Sequence, residues 1–263
     1  MPRRPKGTIK TSTARRRKFP ARHCAPSGAS VAGTRAKATR HRQRHYHCDV
    51  GENPQPAEAT RLTARGAKTR SRIVATAAEL MRVRGVGGTT LDDVVSASKV
   101  SKSQLYRHFE DKPALVRAVI EYVGERRITG ERERLQNVKT FAGLRRWRDA
   151  LVQQNALHDG RYGCALGSLA NQVSDHDAVA REKLHDLFTA WQELFEDLLG
   201  RFRRDGVIPP GADVAQLATG FVAAVQGGYL LAQTSRDVKP MASAIDMAIT
   251  HLQLLARDQD EAS

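Results

Sequence analysis

Apolar residues recur every three or four positions from about residue 67 to the end of the chain, and no stretch alternates convincingly with a period of two. This spacing predicts helices, because one face of an α-helix repeats every 3.6 residues. Glycine, proline and capping residues divide the pattern into about nine helices. Their predicted ranges are 67–85, 91–98, 102–109, 113–135, 140–158, 166–173, 176–204, 213–234 and 239–256. The predicted fold class is therefore all-α.

Two short predicted helices lie close together between residues 90 and 109. Thr90 and Ser101 are expected to cap them, because an acid or amide follows each by three residues, as in a capping box. In the second helix Leu105 and Phe109 are four residues apart and should share the buried face. A pair of short helices joined by a tight turn is a helix-turn-helix, whose second helix fits the DNA major groove.

The residues around this motif resemble the DNA-binding domain of the TetR/AcrR family of regulators over about residues 68–122. The resemblance is carried by Leu-Tyr-x-His-Phe at 105–109 and the x-x-Lys-x-x-Leu that follows. It implies a three-helix DNA-binding domain followed by a helical domain for ligand binding and dimerisation. The DNA-contacting residues that it implies are Thr90, Ser101, Lys102, Ser103, Gln104, Tyr106, His108 and Lys112.

One position departs from the family pattern. Members of the family usually carry glycine in the turn where this chain has Lys99. A left-handed backbone there would cost a residue with a side chain about 1 kcal/mol. The motif is expected to survive that cost, with a slightly reshaped turn.

Net charge is concentrated in the first quarter of the chain. Residues 1–65 hold 16 Lys and Arg against 3 Asp and Glu, which leaves 27 against 25 in the rest. This segment is also poor in large apolar residues, so it is predicted to be a disordered basic tail. It either holds phosphates non-specifically or does little; a translation start nearer Val50 or Leu62 would leave it out of the protein.

The predictions for metals, membranes and redox state are negative. The tail residues His23, Cys24, His41, His45, His47 and Cys48 lack the paired spacing of zinc modules, so no metal site is predicted. No run of about 18 uncharged apolar residues occurs, which argues against a membrane span. Three scattered cysteines suit a reducing cytoplasm.

The region after the helix-turn-helix has two expected functions, both implied by the resemblance. The last two helices are expected to pair with those of a second subunit, and a small hydrophobic effector to bind among the preceding ones. Weaker similarity to a subgroup with multidrug-efflux regulators covers 163–171 and 226–233. Candidate dimer residues are Val225, Gly227, Gly228, Ile245, Ile249 and Leu252. Candidate pocket residues are Trp147, Phe188, Trp191, Phe221 and Gln226. Both sets are also compatible with plain core packing.

The sequence thus predicts a ligand-responsive repressor that binds a palindromic DNA operator as a homodimer. The expected domains are 1–65 (tail), 66–112 (DNA binding) and 113–257 (effector binding and dimerisation). No cofactor is expected. An enzyme is the least favoured alternative, because no nucleophile motif, metal-ligand spacing or phosphate loop is present. A non-specific nucleic-acid-binding protein driven by the tail is the other.

Overall fold

The computed structural model describes residues 63–262, and in that range the chain forms nine helices and no strand. The helices are α1 Ala64–Arg84, α2 Leu91–Ser98, α3 Lys102–His108, α4 Lys112–Leu135, α5 Phe141–Ala156, α6 Ala165–Val173, α7 Ala178–Arg204, α8 Val214–Ser235 and α9 Lys239–Ala262. The predicted all-α class is confirmed.

The helix ends follow the capping chemistry of the sequence. Thr63 caps α1 three residues earlier than predicted, so residues 64 and 65, assigned to the tail, belong to its first turn. The rest of the predicted tail lies outside the described residues, together with its six histidine and cysteine residues.

The first three helices form a small core of their own against the start of α4. Ile73 and Ala77 of α1 are fully buried with Val94 of α2 and Leu105 of α3. A buried Leu, Ile or Phe side chain contributes about 1.5–3 kcal/mol over its exposed state. Short helices such as α2 and α3 would be marginal alone, so this packing is what holds them.

The remaining helices pack around α7. Phe195, Leu198, Leu199 and Phe202 line its fully buried face. Its contacts are chiefly with α4 and α8, and α8 also packs along α9. A Cβ at Gly124 of α4 would clash with the terminal methyls of Leu187 of α7, so this glycine leaves room for that leucine between the two helices.

Helix α8 corrects the argument made above against a membrane span. Its 22 residues include no charged side chain, and an 18-residue window has a mean hydropathy of 1.3. By length and composition it is the one described helix apolar enough to cross a membrane. A core helix passes the same test, and α8 packs against α7 and α9. About a third of that window is buried, which leaves an uncharged exposed face.

Candidate functional site

Both ends of α2, including the turn that leads to α3, are fixed by local backbone geometry. Thr90 Oγ1 accepts a hydrogen bond from the backbone N–H of Asp93, and the Asp93 carboxylate accepts one from the backbone N–H of Thr90 at 2.9 Å. The Thr90 hydroxyl also donates to this carboxylate at 2.6 Å, and this bond, together with that from the Thr90 backbone N–H, holds the pKa of Asp93 below its ordinary value. Lys99 ends α2 in the left-handed region, with φ 54° and ψ 44°. The structure thus puts the cost of about 1 kcal/mol at the position where the family pattern has glycine.

The second capping box fixes the start of α3. The backbone N–H of Ser101 donates to Gln104 Oε1 at 2.9 Å, and the backbone N–H of Gln104 donates to Ser101 Oγ at 3.2 Å. The amide nitrogen of the Gln104 side chain has no such role. While the cap is closed, the Gln104 side chain therefore presents its amide N–H groups as hydrogen-bond donors.

Helix α3 separates a buried side from an exposed side. Leu105 and Phe109 are at most 3 % exposed and hold the helix on α1. The other residues of 101–107 are all exposed, and Tyr106 keeps 54 % of its surface accessible. Because α3 is held to the protein along one apolar edge only, the rest of its surface faces solvent. Such an exposed helix has a suitable shape for insertion into a DNA groove.

The predicted contact residues fall into two groups. Thr90 and the polar residues at 101–104 and 106 are exposed, whereas His108 and Lys112 are half-buried. Arg107 is equally exposed and was not among the predicted contacts. The sequence did place Arg107 in α3, three residues after Gln104. A charged residue at that position is equally typical of an ordinary solvent-facing residue, so it was not selected.

Two charged groups in this region already have partners in the free protein. Lys102 Nζ lies 2.8 Å from the carboxylate of Asp92, and this bond raises the pKa of Lys102. Both side chains are about two-thirds exposed or more, so the pair contributes little to stability. Lys102 is therefore free to exchange Asp92 for a phosphate.

His108 is held in a partly dehydrated position. Its Nδ1 is buried without a hydrogen-bond partner among the described residues. Burial, followed by the positive charges of Arg70 and Arg107, lowers the pKa of the imidazole below 6.5. His108 is therefore neutral at pH 7 in the free protein.

The predicted pocket residues belong mostly to the protein core. Trp147, Trp191 and Phe221 are at most 4 % exposed. Trp147 packs edge-on against Phe195 with ring centroids 5.4 Å apart, and Phe195 stacks on Phe221 at 5.1 Å. Phe188 is half-buried and stacks on Trp191. These four aromatic residues do not line any of the cavities described below. The residues predicted for the pocket from their aromatic character therefore pack in the core.

Gln226 is the predicted pocket residue that does border an opening. It is half-buried, and its side-chain amide donates to Cys164 Sγ at 3.4 Å. Both line a shallow cavity of about 230 Å³ between α6 and α8. Gln226 thus borders an opening that the aromatic residues predicted with it do not line.

The larger openings lie where α1 and α4 meet the segment between α5 and α6. One cavity of about 450 Å³ is lined by Arg82, Arg126, Arg127, Arg134 and Arg161 together with Tyr229 and Leu166. A second, of about 310 Å³, shares its Arg82, Val123, Arg126 and Tyr162 walls. Cavities of 300–1,000 Å³ are the usual size of small-molecule sites. Three of these arginines lie on α4, but Arg82 and Arg161 come from two other segments, so no local pattern marked the whole set.

Buried ionic groups form one side of the larger cavity. Glu131 is fully buried; its carboxylate accepts a hydrogen bond from Trp147 Nε1 at 2.5 Å and lies 3.4 Å from the Arg127 guanidinium. That guanidinium also stacks over the Trp191 ring at 4.2 Å. Burial opposes the charge of Arg127, but attraction to Tyr229 and Glu131 outweighs it, so the pKa of Arg127 lies above its ordinary value. A charged arginine thus stands at the cavity wall.

The structure corrects the predicted dimer residues. Val225, Gly228, Ile245, Ile249 and Leu252 are buried inside the protomer, and of that set only Gly227 is exposed. A Cβ at Gly228 would lie 2.9 Å from the backbone Cα of Met241, so this glycine lets α8 approach α9 of the same chain. The exposed apolar residues on these two helices are instead Leu230, Leu231, Met247 and Leu254.

Two protein-family models match the chain. The model described as "Bacterial regulatory proteins, tetR family" matches residues 73–119, and "Transcriptional regulator LmrA/YxaF-like, C-terminal domain" matches residues 140–247. The first range contains α2 and α3 with both capping boxes. The second contains the cavity walls from α5 and α6, all of α8 and the first part of α9, with the exposed Leu230, Leu231 and Met247.

Individual relatives and structures agree with the family models. The chain is 28 % identical to the HTH-type transcriptional regulator Rv0196 of Mycobacterium tuberculosis over 65 % of this chain and 88 % of the relative. It is 24 % identical to the HTH-type transcriptional repressor DhaR of Mycobacterium sp. GP1 over 65 % and 86 %. The crystal structure of a TetR regulatory protein from Rhodobacter sphaeroides superposes with a TM-score of 0.63 at 20 % identity, covering 70 % of this chain and 98 % of that one.

Proposed function

Because the chain belongs to the TetR family of transcriptional regulators, we propose that it is a repressor that binds a palindromic operator as a homodimer. A small molecule in the region 113–257 releases it from DNA. The observation that carries this proposal is the exposed polar surface of α3 on a buried Leu105–Phe109 edge. A domain boundary at residue 112 is part of the same proposal, although the residues that the structure describes pack as one compact unit.

The proposed DNA contacts fall into two groups, those to the bases and those to the phosphates. Ser103 and Gln104, at the start of α3, meet base edges in the major groove, where side-chain donors and acceptors distinguish base pairs. Lys102, Tyr106, His108 and Lys112 meet the phosphates, as do Thr90 and Ser101 near the ends of α2 and α3. Phosphate contacts position a protein on DNA, and base contacts specify the sequence.

The dimer forms through the exposed faces of α8 and α9. On α8 this face runs through Thr219, Ala223, Gly227 and Leu230 without a charge. An exposed uncharged face of this length is unusual for a single chain in water. The same face on two subunits gives a two-fold interface, which matches the symmetry of a palindromic operator.

Release by an effector requires that the two functional regions share structure. Helix α1 belongs to the DNA-binding core through Ile73, and its last turn carries Arg82 into the cavity wall. An effector that favours one position of α1 thereby favours one position of α3. Such coupling is a difference in affinity between two conformations.

A footprint tests the proposal. Purified full-length protein is expected to protect one palindromic stretch in the DNA upstream of its own gene, at nanomolar concentration in 100–200 mM salt. A binding isotherm with two subunits per site supports the dimer. Uniform protection along the fragment, or no protection, contradicts the proposal.

The tail-driven alternative is a second candidate, since residues 1–65 carry most of the net positive charge. It predicts that removal of residues 1–60 abolishes DNA binding. The repressor proposal predicts that the footprint survives the deletion with weaker non-specific binding.

A repressor of this kind is expected in the cytoplasm, where the DNA is.

A further inference from the structure

The larger cavity combines a cationic rim with an apolar body. Arg82, Arg126, Arg127, Arg134 and Arg161 line it, and none of its lining residues is acidic. Two nearby carboxylates offset part of this charge: Glu79 pairs with Arg82, and Glu131 lies within 4 Å of Arg127 and Arg134. The positive charges of five guanidiniums at the cavity are therefore balanced by only two carboxylates among the described residues.

Two of these arginines have no acidic partner within the described residues. Arg126 stacks loosely on the Tyr122 ring at 5.5 Å, and Arg161 forms no ion pair there. Arg127 keeps its Nε buried and unpaired at the cavity wall. Concentrating like charges around an opening is unfavourable by itself, and a bound anion removes that cost. Guanidiniums bind carboxylates and phosphates in a bidentate manner.

The rest of the wall is mixed in character. Val123, Cys164, Leu166 and the ring of Tyr229 supply apolar surface, beside the polar side chains of Gln154, Asn155 and His158. The 450 Å³ volume exceeds what an inorganic ion needs and suits a one- or two-ring molecule. The occupant must therefore carry both an anionic group and an apolar body.

We propose that this cavity binds a small aromatic or aliphatic organic acid, and that Arg126 and Arg161 hold its anionic group. The inference rests on the proposed function and deepens it: the effector is an anion, where the sequence led us to expect a small hydrophobic molecule. Arg82 stacks on Tyr162 with its Cζ 4.0 Å from the ring centroid. An acid bound beside them therefore touches α1 directly, and through α1 the DNA-binding core.

Calorimetry on the full chain without DNA tests the site, with 1-naphthoate and its neutral isostere 1-naphthamide as probes. The acid is expected to bind at least tenfold more tightly than the amide, because only the acid can pair with guanidiniums. The double variant R126Q/R161Q should bind the acid about as weakly as the amide. The matched control R132Q, an exposed arginine on the same helix that does not line the cavity, should change the Kd less than twofold.

Three results overturn the proposal: equal affinity for acid and amide, no binding of either below 5 mM, or the same loss in R132Q as in R126Q/R161Q. Circular dichroism of the variants shows that each is folded. The footprint on the same preparation separates this inference from the proposed function. A protein that binds operator DNA but not the acid refutes only the anion site, and one that binds the acid but no DNA refutes the repressor.

Discussion

Gln172 on α6 accepts a hydrogen bond through its side-chain oxygen from the backbone N–H of Val86, 2.7 Å away, in the loop that follows α1. The same oxygen would lie 2.9 Å from a Cβ at Gly85. This bond joins the proposed effector-binding region to the proposed DNA-binding region across 86 positions of sequence. It lies next to Met81 and Arg82, which border the cavities.

The variant Gln172→Ala tests this connection. It removes the acceptor, so the amide of Val86 should exchange its hydrogen with solvent at least tenfold faster. Gln172→Glu keeps an oxygen in place and is the matched control, in which exchange should stay slow. Amide exchange followed by nuclear magnetic resonance provides the measurement, and unchanged exchange in the alanine variant would mean that other contacts hold this loop.

Substitutions in and beside α3 should separate positioning from specificity. Tyr106→Phe and Lys112→Ala each remove a proposed phosphate contact, so both should weaken binding to all DNA sequences. Only the lysine carries a charge, so only Lys112→Ala should lower the salt slope, by about one. Gln104→Ala should change the preferred base at one position per half-site, at a cost of about 1–3 kcal/mol for the original base. Fluorescence anisotropy at several salt concentrations distinguishes the two outcomes. Unchanged footprints in all three variants would refute the roles.

His108 should take up a proton when the protein binds DNA. In the free protein its pKa lies below 6.5 because burial and two arginines disfavour the charged form, whereas a DNA phosphate favours that form. The pKa therefore rises on binding, and affinity should increase about threefold or more as pH falls from 7.5 to 5.5.

The variant His108→Gln should lose that part of the pH dependence. His176→Gln changes an exposed histidine between α6 and α7 and is the control that should keep it. Parallel pH profiles for the His108 variant and the unaltered protein would exclude this histidine from the phosphate contacts.

A charge on the exposed face of α8 should break the dimer. Leu230 is 55 % exposed, so Leu230→Glu leaves the protomer intact but would bury a carboxylate between two subunits. The dimer Kd should rise at least tenfold, as measured by analytical ultracentrifugation. Val179→Glu, at a 48 % exposed position in the first turn of α7, should leave it unchanged. A Leu230 variant that remains dimeric would place the interface elsewhere.

Gly228→Ala tests the close contact between α8 and α9 within one protomer. The new methyl would lie 2.9 Å from the backbone of Met241, so the helices must separate, at a cost of about 1–3 kcal/mol in the free energy of unfolding. In Gly200→Ala the methyl meets only Arg204 at 3.5 Å, and helix propensity should raise stability by up to about 1 kcal/mol. Urea denaturation at one protein concentration compares the two, and equal stability of both variants would contradict the close approach.

Local signals in the sequence predicted most of the secondary structure. Both capping boxes follow from residues three positions apart, which is why they could be read directly. The left-handed backbone at Lys99 was considered only because the resembling family has glycine there. The burial of Leu105 and Phe109 follows from their spacing and is confirmed.

Features that depend on which helix faces which could not be predicted in this way. Helix α8 is apolar nearly all round, so its sequence does not tell the side that meets α9 from the exposed side, and Val225 was assigned to the wrong one. The cavity arginines were missed for a related reason. Arg82, Arg126 and Arg161 each resemble an ordinary solvent-facing residue in their own segment, and only the tertiary fold brings them together.

The length of α1 has a mechanical consequence. Its 21 residues form a rod of about 30 Å, anchored to Tyr162 near one end by Arg82 and to Phe109 toward the other by Arg70, whose Cζ lies 5.2 Å from that ring. A tilt of about 5° about the Arg82 end would displace Arg70, about 18 Å away along the axis, by about 1.6 Å. A ligand that moves Arg82 slightly would therefore shift the part of α1 against which Phe109 and α3 pack.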